Sequence, residues 1–117
     1  MSRSPLMRRF DHHVITELVD QGVHMVYDHN LIKKEESGIW YYEYNLICIN
    51  PLVRKNSGRM QEDLTINHEW LHAVEDLILD PPRDFTESHI EDMARYHLRR
   101  DPMLTEYIRH LFSGFGF

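Results

Sequence analysis

Five consecutive residues have the types and the spacing of a catalytic metal centre. The run His68-Glu69-Trp70-Leu71-His72 follows the pattern H-E-x-x-H. In a helix the two histidines lie four residues apart on one face, so both imidazoles can bind one zinc ion. Glu69 then lies beside the pair, where its carboxylate can act as general base on the water that the metal holds. The pattern therefore predicts a zinc-dependent hydrolase.

A catalytic zinc ion needs a third protein ligand and leaves its fourth position to water. The extended metzincin pattern H-E-x-x-H-x-x-G-x-x-H is excluded, because Glu75 stands at its glycine and Ile78 at its last histidine. The third ligand must then come from farther along the chain. The candidates are Glu91, Glu87, His89 and His97.

Two further roles are expected around such a metal. Zinc-binding histidines usually donate their second N–H to a carboxylate or a carbonyl. Glu75 and Asp76 follow the motif closely enough to accept it. A peptidase also needs an electrophilic group that stabilises the oxyanion beside the metal. The side chains available in the C-terminal part are Tyr96, His97, Tyr107 and His110.

The motif lies in the longest of four predicted helices. Apolar residues recur every fourth position from Phe10 to Leu18, which predicts an amphipathic helix. The helix that carries the motif must end before the Pro-Pro pair at residues 81–82, because proline removes a helical hydrogen bond. An Asp-Pro pair at residues 101–102 opens the last helix. The four helices are expected over residues 11–21, 60–79, 84 or 86 to about 99, and 102–112.

Short runs of β-branched and aromatic residues alternate with polar turns before the motif and predict two or three strands. A hairpin with Asn45 in its turn is favoured over one long strand covering residues 39–49, because asparagine suits turn positions. Segments 30–38 and 52–59 are expected as loops, and the tail 113–117 as irregular structure. Strands and helices are thus segregated, which predicts one α+β domain over residues 1–117. The strands are expected at residues 23–29, 39–42 and 46–50.

Composition narrows the function classes. The net charge of −6 argues against a nucleic-acid partner, because phosphate binding requires a basic face. No apolar run approaches the length of a membrane span, and no apolar segment follows the basic N-terminus as in a signal peptide. We therefore expect a cytoplasmic protein without a membrane partner. The single cysteine, Cys48, stands in an apolar stretch and is expected to be a buried, inert thiol.

The motif and its surroundings resemble the gluzincin metallopeptidases, in which a glutamate helix follows the H-E-x-x-H helix. Here the second segment is E-x-x-A, from Glu91 to Ala94. The small size and the element order are similar to the minigluzincins. An I-x-I-N strand ending at Asn50, a basic loop and the zinc helix follow one another as in phage and bacterial antirepressor-type peptidases. The chain departs from these relatives at Leu71, where they often have glycine, and from the thermolysin group at Arg95.

The resemblance implies a zincin-like fold with Glu91 as the third zinc ligand, and with Ala94 as the small residue between two close helices. It also implies that the strand from Leu46 to Asn50 is an edge strand that pairs with an extended peptide. The expected function is hydrolysis of a peptide bond in an intracellular, repressor-like protein, with Glu69 as general base. The alternatives are an inactive zincin module that sequesters a regulatory protein, and a structural metal site closed by four ligands.

Overall fold

The computed structural model describes residues 4–79 and 84–117, and these residues form an α+β fold, as the sequence predicts. The small sheet lies against one long helix, and the C-terminal helices pack on the other faces of that helix. The expectation of one domain over the whole chain stays a prediction. The helices are α1 Pro5–Arg8, α2 His12–Asp20, α3 Asn30–Lys34, α4 Leu52–Ser57, α5 Arg59–Leu77, α6 Glu87–Arg100 and α7 Pro102–Leu111, and the strands are β1 His24–Tyr27, β2 Gly38–Tyr41 and β3 Leu46–Ile49.

The sheet has the strand order β1-β3-β2, so β3 is its central strand. β3 pairs in parallel with β1, from His24 opposite Leu46, and in antiparallel with β2, from Gly38 opposite Ile49. The implied role of the strand from Leu46 to Asn50 as a peptide-binding edge is therefore wrong. Its main-chain groups already bind neighbouring strands on both sides. Among the described strands, β1 and β2 lie at the edges of the sheet, and β2 has the more extensive contact with α5.

The hairpin between β2 and β3 confirms the favoured sequence interpretation. A 3₁₀ turn, Tyr42–Tyr44, separates the two strands, and Asn45 follows it with φ of 49°. Asparagine adopts this left-handed conformation more readily than most residues. A single strand through residues 39–49 is thereby excluded.

Four segments differ from the sequence-based expectations. The two polar segments predicted as loops contain the short helices α3 and α4, and α1 precedes the first predicted helix. Each of these helices buries only one residue, namely Leu6, Leu31 or Val53, so none has the apolar stripe that reveals a helix in a sequence. The tail is also more regular than expected, with a 3₁₀ turn at Ser113–Phe115.

Helix α5 forms the centre of the molecule. Trp70, Leu71 and Val74 are fully buried in the apolar cluster that the sheet and the flanking helices share. On the same helix, Asn67 links two neighbours: its Oδ1 accepts a hydrogen bond from the Thr105 hydroxyl on α7, and its Nδ2 donates to the carbonyl of Ala94 on α6. These contacts fix α6 and α7 relative to the residues of the motif.

Helix α6 begins after Thr86, which is one of the two starting points that the sequence predicts. Thr86 is its N-cap, and the Thr86 hydroxyl accepts a hydrogen bond from the His89 backbone N–H at 3.1 Å. The alternative start at Asp84 is not used. The preceding helix α5 ends at Leu77, two residues before the expected end at residue 79, and the Pro-Pro pair itself lies outside the described residues. None of the helices in the described segments is both long and apolar enough to cross a membrane.

Candidate metal centre

His68 and His72 face each other one turn apart on α5. Their Nε2 atoms are 3.3 Å apart, and their side chains are 14% and 18% exposed. Two ligand atoms at about 2.05 Å from a tetrahedral ion lie roughly 3.3 Å from each other. The two imidazoles therefore already have the separation that one shared zinc ion requires.

Glu87 brings a carboxylate to the same point from the first turn of α6. Its Oε2 lies 2.8 Å from His68 Nε2, and its Oε1 lies 3.0 Å from His72 Nε2. Among the described residues, His68, His72 and Glu87 form the group whose ligand atoms are close enough to hold a metal ion. Two imidazole nitrogens and one carboxylate oxygen are a donor set that zinc accepts, with a position left for water.

Glu91 lies one turn farther along α6 and contacts a different atom. Its Oε2 is 2.7 Å from His68 Nδ1, the ring nitrogen that faces away from His72, and its Oε1 is 3.4 Å from Arg95. The resemblance named Glu91 as the third ligand, and the structure brings it to the motif, next to His68. In this arrangement the carboxylate nearest both Nε2 atoms is that of Glu87. Ala94, fully buried, lies at the contact between α5 and α6.

Glu69 is buried next to the histidine pair, with 6% of its surface exposed, and makes no hydrogen bond within the described residues. The pKa of Glu69 is raised to about 7, mainly by burial. His68 lowers this pKa, and the nearby carboxylates of Glu87, Glu36 and Glu91 raise it. The carboxylate lines a cavity of about 270 Å³ that opens to the surface. A buried base beside an open cavity can exchange a proton with a ligand there.

The charge on His68 depends on the same neighbours. Burial lowers its pKa, but Glu69 and the contacts with Glu91 and Glu87 outweigh burial, so that the pKa of His68 is raised. The ring therefore lies between two carboxylates that favour a positive charge. A divalent cation on Nε2 would satisfy the same carboxylates in place of the proton.

The two acidic residues after the motif have different partners. Glu75 Oε1 is 3.4 Å from His72 Nδ1, while its Oε2 accepts a hydrogen bond from the Phe85 backbone N–H. Asp76 instead accepts a hydrogen bond from the Trp40 indole at 2.7 Å. Of the two candidates, Glu75 is therefore the one that contacts a motif histidine.

The remaining candidates lie elsewhere. His89 hydrogen-bonds to Ser4, and His97 is buried and bonds to the Leu6 carbonyl, so neither reaches the histidine pair. Tyr107 contacts Thr16 on α2. None of the four oxyanion candidates lines the cavity beside Glu69 within the described residues. These four are Tyr96, His97, Tyr107 and His110.

Sequence reasoning missed the wall that faces Glu69. A Cβ atom on Gly38 would lie 2.9 Å from Thr65 Cγ2 and 3.0 Å from Glu69 Cγ, so the first residue of β2 must be glycine to lie this close to α5. The segment just before it contributes Glu35 and Glu36 to the cavity. The Ser-Gly pair at residues 37–38 indicated only a turn, and no pattern in the sequence linked this segment to the motif.

Cys48 is buried in β3, as the sequence predicts, and burial raises the pKa of its thiol to about 11. The thiol is thus protonated at neutral pH and takes no part in the site.

Comparisons of the chain with protein-family models, with curated proteins and with solved structures gave no match.

Proposed function

We propose that the protein is a zinc-dependent metallopeptidase with Glu69 as its general base. The observation that carries this proposal is the convergence of ligand atoms from His68, His72 and Glu87 beside a buried carboxylate that lines an open cavity. Structural zinc sites usually have four protein ligands and recruit cysteines, and the one cysteine of the chain is buried in the sheet. Three ligands next to a cavity favour catalysis.

We infer that Glu87 is the third ligand and that Glu91 orients His68. The argument is the atom that each carboxylate approaches: Glu87 contacts the two facing Nε2 atoms, whereas Glu91 contacts the opposite nitrogen of one ring. A carboxylate on the far nitrogen of a metal-binding histidine fixes the tautomer and the ring orientation. Glu75 would act on His72 in the same way. This assignment departs from the resemblance, which implies Glu91 as the ligand.

The chemistry of peptide hydrolysis follows from these positions. A zinc ion in the site supplies a Lewis acid that polarises the scissile carbonyl and lowers the pKa of water. Glu69 accepts a proton from the attacking water at its carboxylate and passes it to the leaving amine. Gly38 of β2 lies close to this carboxylate, since a Cβ atom there would be 3.2 Å from Glu69 Oε2.

A substrate peptide would bind along β2 instead of β3. Extended peptides add to the free edge of a sheet through main-chain hydrogen bonds, and β2 has such an edge. Its first residue, Gly38, lines the cavity together with Glu69, so a peptide paired there would pass close to the histidines. From the resemblance to repressor-cleaving peptidases we expect a flexible segment of an intracellular regulatory protein as substrate.

The proposal is tested by exposing a mixture of peptides of known sequences to the zinc-loaded protein and identifying new termini by mass spectrometry. Wild type should produce cleaved products. A Glu69→Gln variant should bind one equivalent of zinc but produce none, because the amide cannot accept the proton. A Glu17→Gln variant, changed at an exposed position on α2, is the matched control and should cleave like wild type.

Two results would overturn the proposal. Purified wild type that takes up no zinc in elemental analysis would remove the metal centre. Stoichiometric zinc with no cleavage in wild type, or equal cleavage by the Glu69→Gln variant, would instead favour the alternative of a zincin module that only binds a regulatory protein.

A further inference from the structure

We propose that the active-site cavity selects a substrate with a basic side chain, arginine or lysine, next to the scissile bond. The inference rests on the proposed peptidase function and names the class of peptide that the same site would take. It is carried by Glu35 and Glu36, two carboxylates that the metal centre does not use, and by their position between two cavities.

Glu35 and Glu36 form an acidic wall of the active-site cavity. They follow α3 directly and precede β2, and both are exposed. Both line the 270 Å³ cavity together with His68 and Glu69. Neither carboxylate takes part in an ion pair with another described residue. Their charges are therefore available to a ligand in the cavity.

The same two residues also border a second cavity of about 240 Å³, which is lined on its far side by α4. Ser37 is the third residue common to both cavities. The acidic segment thus stands between the space beside the metal centre and a neighbouring space large enough for a long side chain. A substrate residue next to the scissile bond can reach Glu35 and Glu36 from the first cavity.

The charges in the cavity decide which side chain fits. Five glutamates and one histidine line it, without any lysine or arginine among the described residues. The two positive charges of a zinc ion would be offset by Glu87 and Glu69, and Glu91 contacts Arg95 and His68. Glu35 and Glu36 have no ion-pair partner among the described residues. An acidic side chain would be repelled there, whereas a basic one would be attracted.

Glu69 gives a second indication that the cavity receives a ligand. Its side chain is 6% exposed and lines the cavity, and its carboxylate has no hydrogen-bond partner among the described residues while its oxygens stay open to the cavity. A cavity that holds such a group is built to take up a hydrogen-bond donor. The wall of Glu35 and Glu36 is part of this binding cavity, which distinguishes it from an ordinary solvated acidic surface.

The test uses two N-acetyl dipeptide hydroxamates that differ only in arginine or its neutral isostere citrulline. The hydroxamate group binds zinc. The difference in affinity between the two side chains measures the contribution of the Glu35 and Glu36 carboxylates. Isothermal titration to the zinc-loaded full chain should show the arginine probe binding about fivefold more tightly, since exposed ion pairs contribute up to about 1 kcal/mol each. This comparison needs no variant, so a loss of folding cannot obscure it.

A double variant, Glu35→Gln with Glu36→Gln, should reduce the preference for arginine to below about twofold, with the citrulline probe still bound. The matched control is Glu17→Gln with Glu43→Gln, which removes the same charge from exposed positions outside the cavity and should keep the preference. Retention of the preference in the Glu35 and Glu36 variant would overturn the assignment to this wall.

The outcomes separate the inference from the proposed function. If wild type binds both probes equally and only in the presence of zinc, the selectivity is refuted while the zinc centre stands. If neither probe binds the zinc-treated protein, the zinc centre itself is refuted and the inference with it.

Discussion

Helix α5 carries two polar clusters that differ in burial and in how their charges are balanced. Near the start of the helix, Glu62 and Asp63 both contact Arg109 of α7, each at 2.7 Å, and the Tyr27 hydroxyl donates to Glu62. We call these four residues the closed cluster. About two turns later, His68 and His72 are surrounded by the carboxylates of the metal centre, which we call the open cluster.

The closed cluster supplies its own counter-charges. Arg109 is 3% exposed and Glu62 is fully buried, and burial of the arginine is outweighed by the two carboxylates, so the pKa of Arg109 is raised. Its contacts connect β1, α5 and α7. The open cluster has more carboxylates than cations and adjoins a cavity, and its base Glu69 lacks a hydrogen-bond partner. In the closed cluster the arginine is paired with two carboxylates of the protein, although Nη1 and Nη2 of Arg109 have no hydrogen-bond partner among the described residues. The open cluster is suited to a cation from outside.

Removing Arg109 is expected to have the largest effect. An Arg109→Met variant should lose about 3–5 kcal/mol of unfolding free energy, because the buried charge of Glu62 is left unpaired. Urea unfolding followed by circular dichroism measures this. The matched control is Arg95→Met at the open cluster, whose side chain is 59% exposed and which should cost less than about 1 kcal/mol. Equal losses in both variants would contradict the distinction between the clusters.

The two glutamates of α6 should differ in their effect on zinc affinity. Glu91→Gln should weaken zinc binding by about 10–100-fold, as expected of a residue that orients a ligand. Glu87→Gln should weaken it more, because a ligand atom is lost. Competition with a chromophoric chelator gives both affinities, and Glu17→Gln should leave them unchanged. The opposite order would show Glu91 to be the ligand, as the resemblance implies.

A side chain at Gly38 tests the wall that holds Glu69. Gly38→Ala should cost about 1–3 kcal/mol, because the new Cβ would press on Thr65 and on the Glu69 side chain. Gly114→Ala is the control, since a Cβ there meets nothing within 4 Å. Thermal unfolding of both variants measures the difference. If the Gly38→Ala protein were as stable as wild type, the close packing of Gly38 against α5 would not limit the size of this residue.

Replacing His97 is expected to have the smallest effect on stability. The surroundings of His97 favour the neutral ring, whereas those of His68 favour the charged ring. Burial lowers the pKa of His97 below its ordinary 6.5, and its Nε2 donates to the Leu6 carbonyl. The neutral ring is favoured in the folded state, so its contribution to stability is complete above pH 6.5 and is lost as the pH falls through the lower folded value. Unfolding free energies at pH 7.5 and 5.0 should differ more in wild type than in a His97→Gln variant. An identical pH dependence would refute this, and His110→Gln, at an exposed position, should behave as wild type.

The sequence predicts those elements that carry a long apolar pattern. α2, α5 and α7 were expected within two residues of their observed ends, because each buries a stripe against the core. α3 and α4 were not expected, since each contributes a single buried side chain. The order of the strands in the sheet could not be predicted from the sequence either. β3 has the composition of any apolar strand, and only the structure shows that it pairs on both sides and is central.

The sequence by itself determined the relation of His68, Glu69 and His72, because a helix fixes the positions of residues one and four apart. It could not decide between Glu87 and Glu91, which are themselves four residues apart and share one face of α6. Which of them meets the Nε2 atoms depends on how α6 lies across α5, and contacts such as that between Asn67 and Ala94 set this. The carboxylates of the facing wall are likewise distant in sequence, and only the tertiary structure brings them to the cavity.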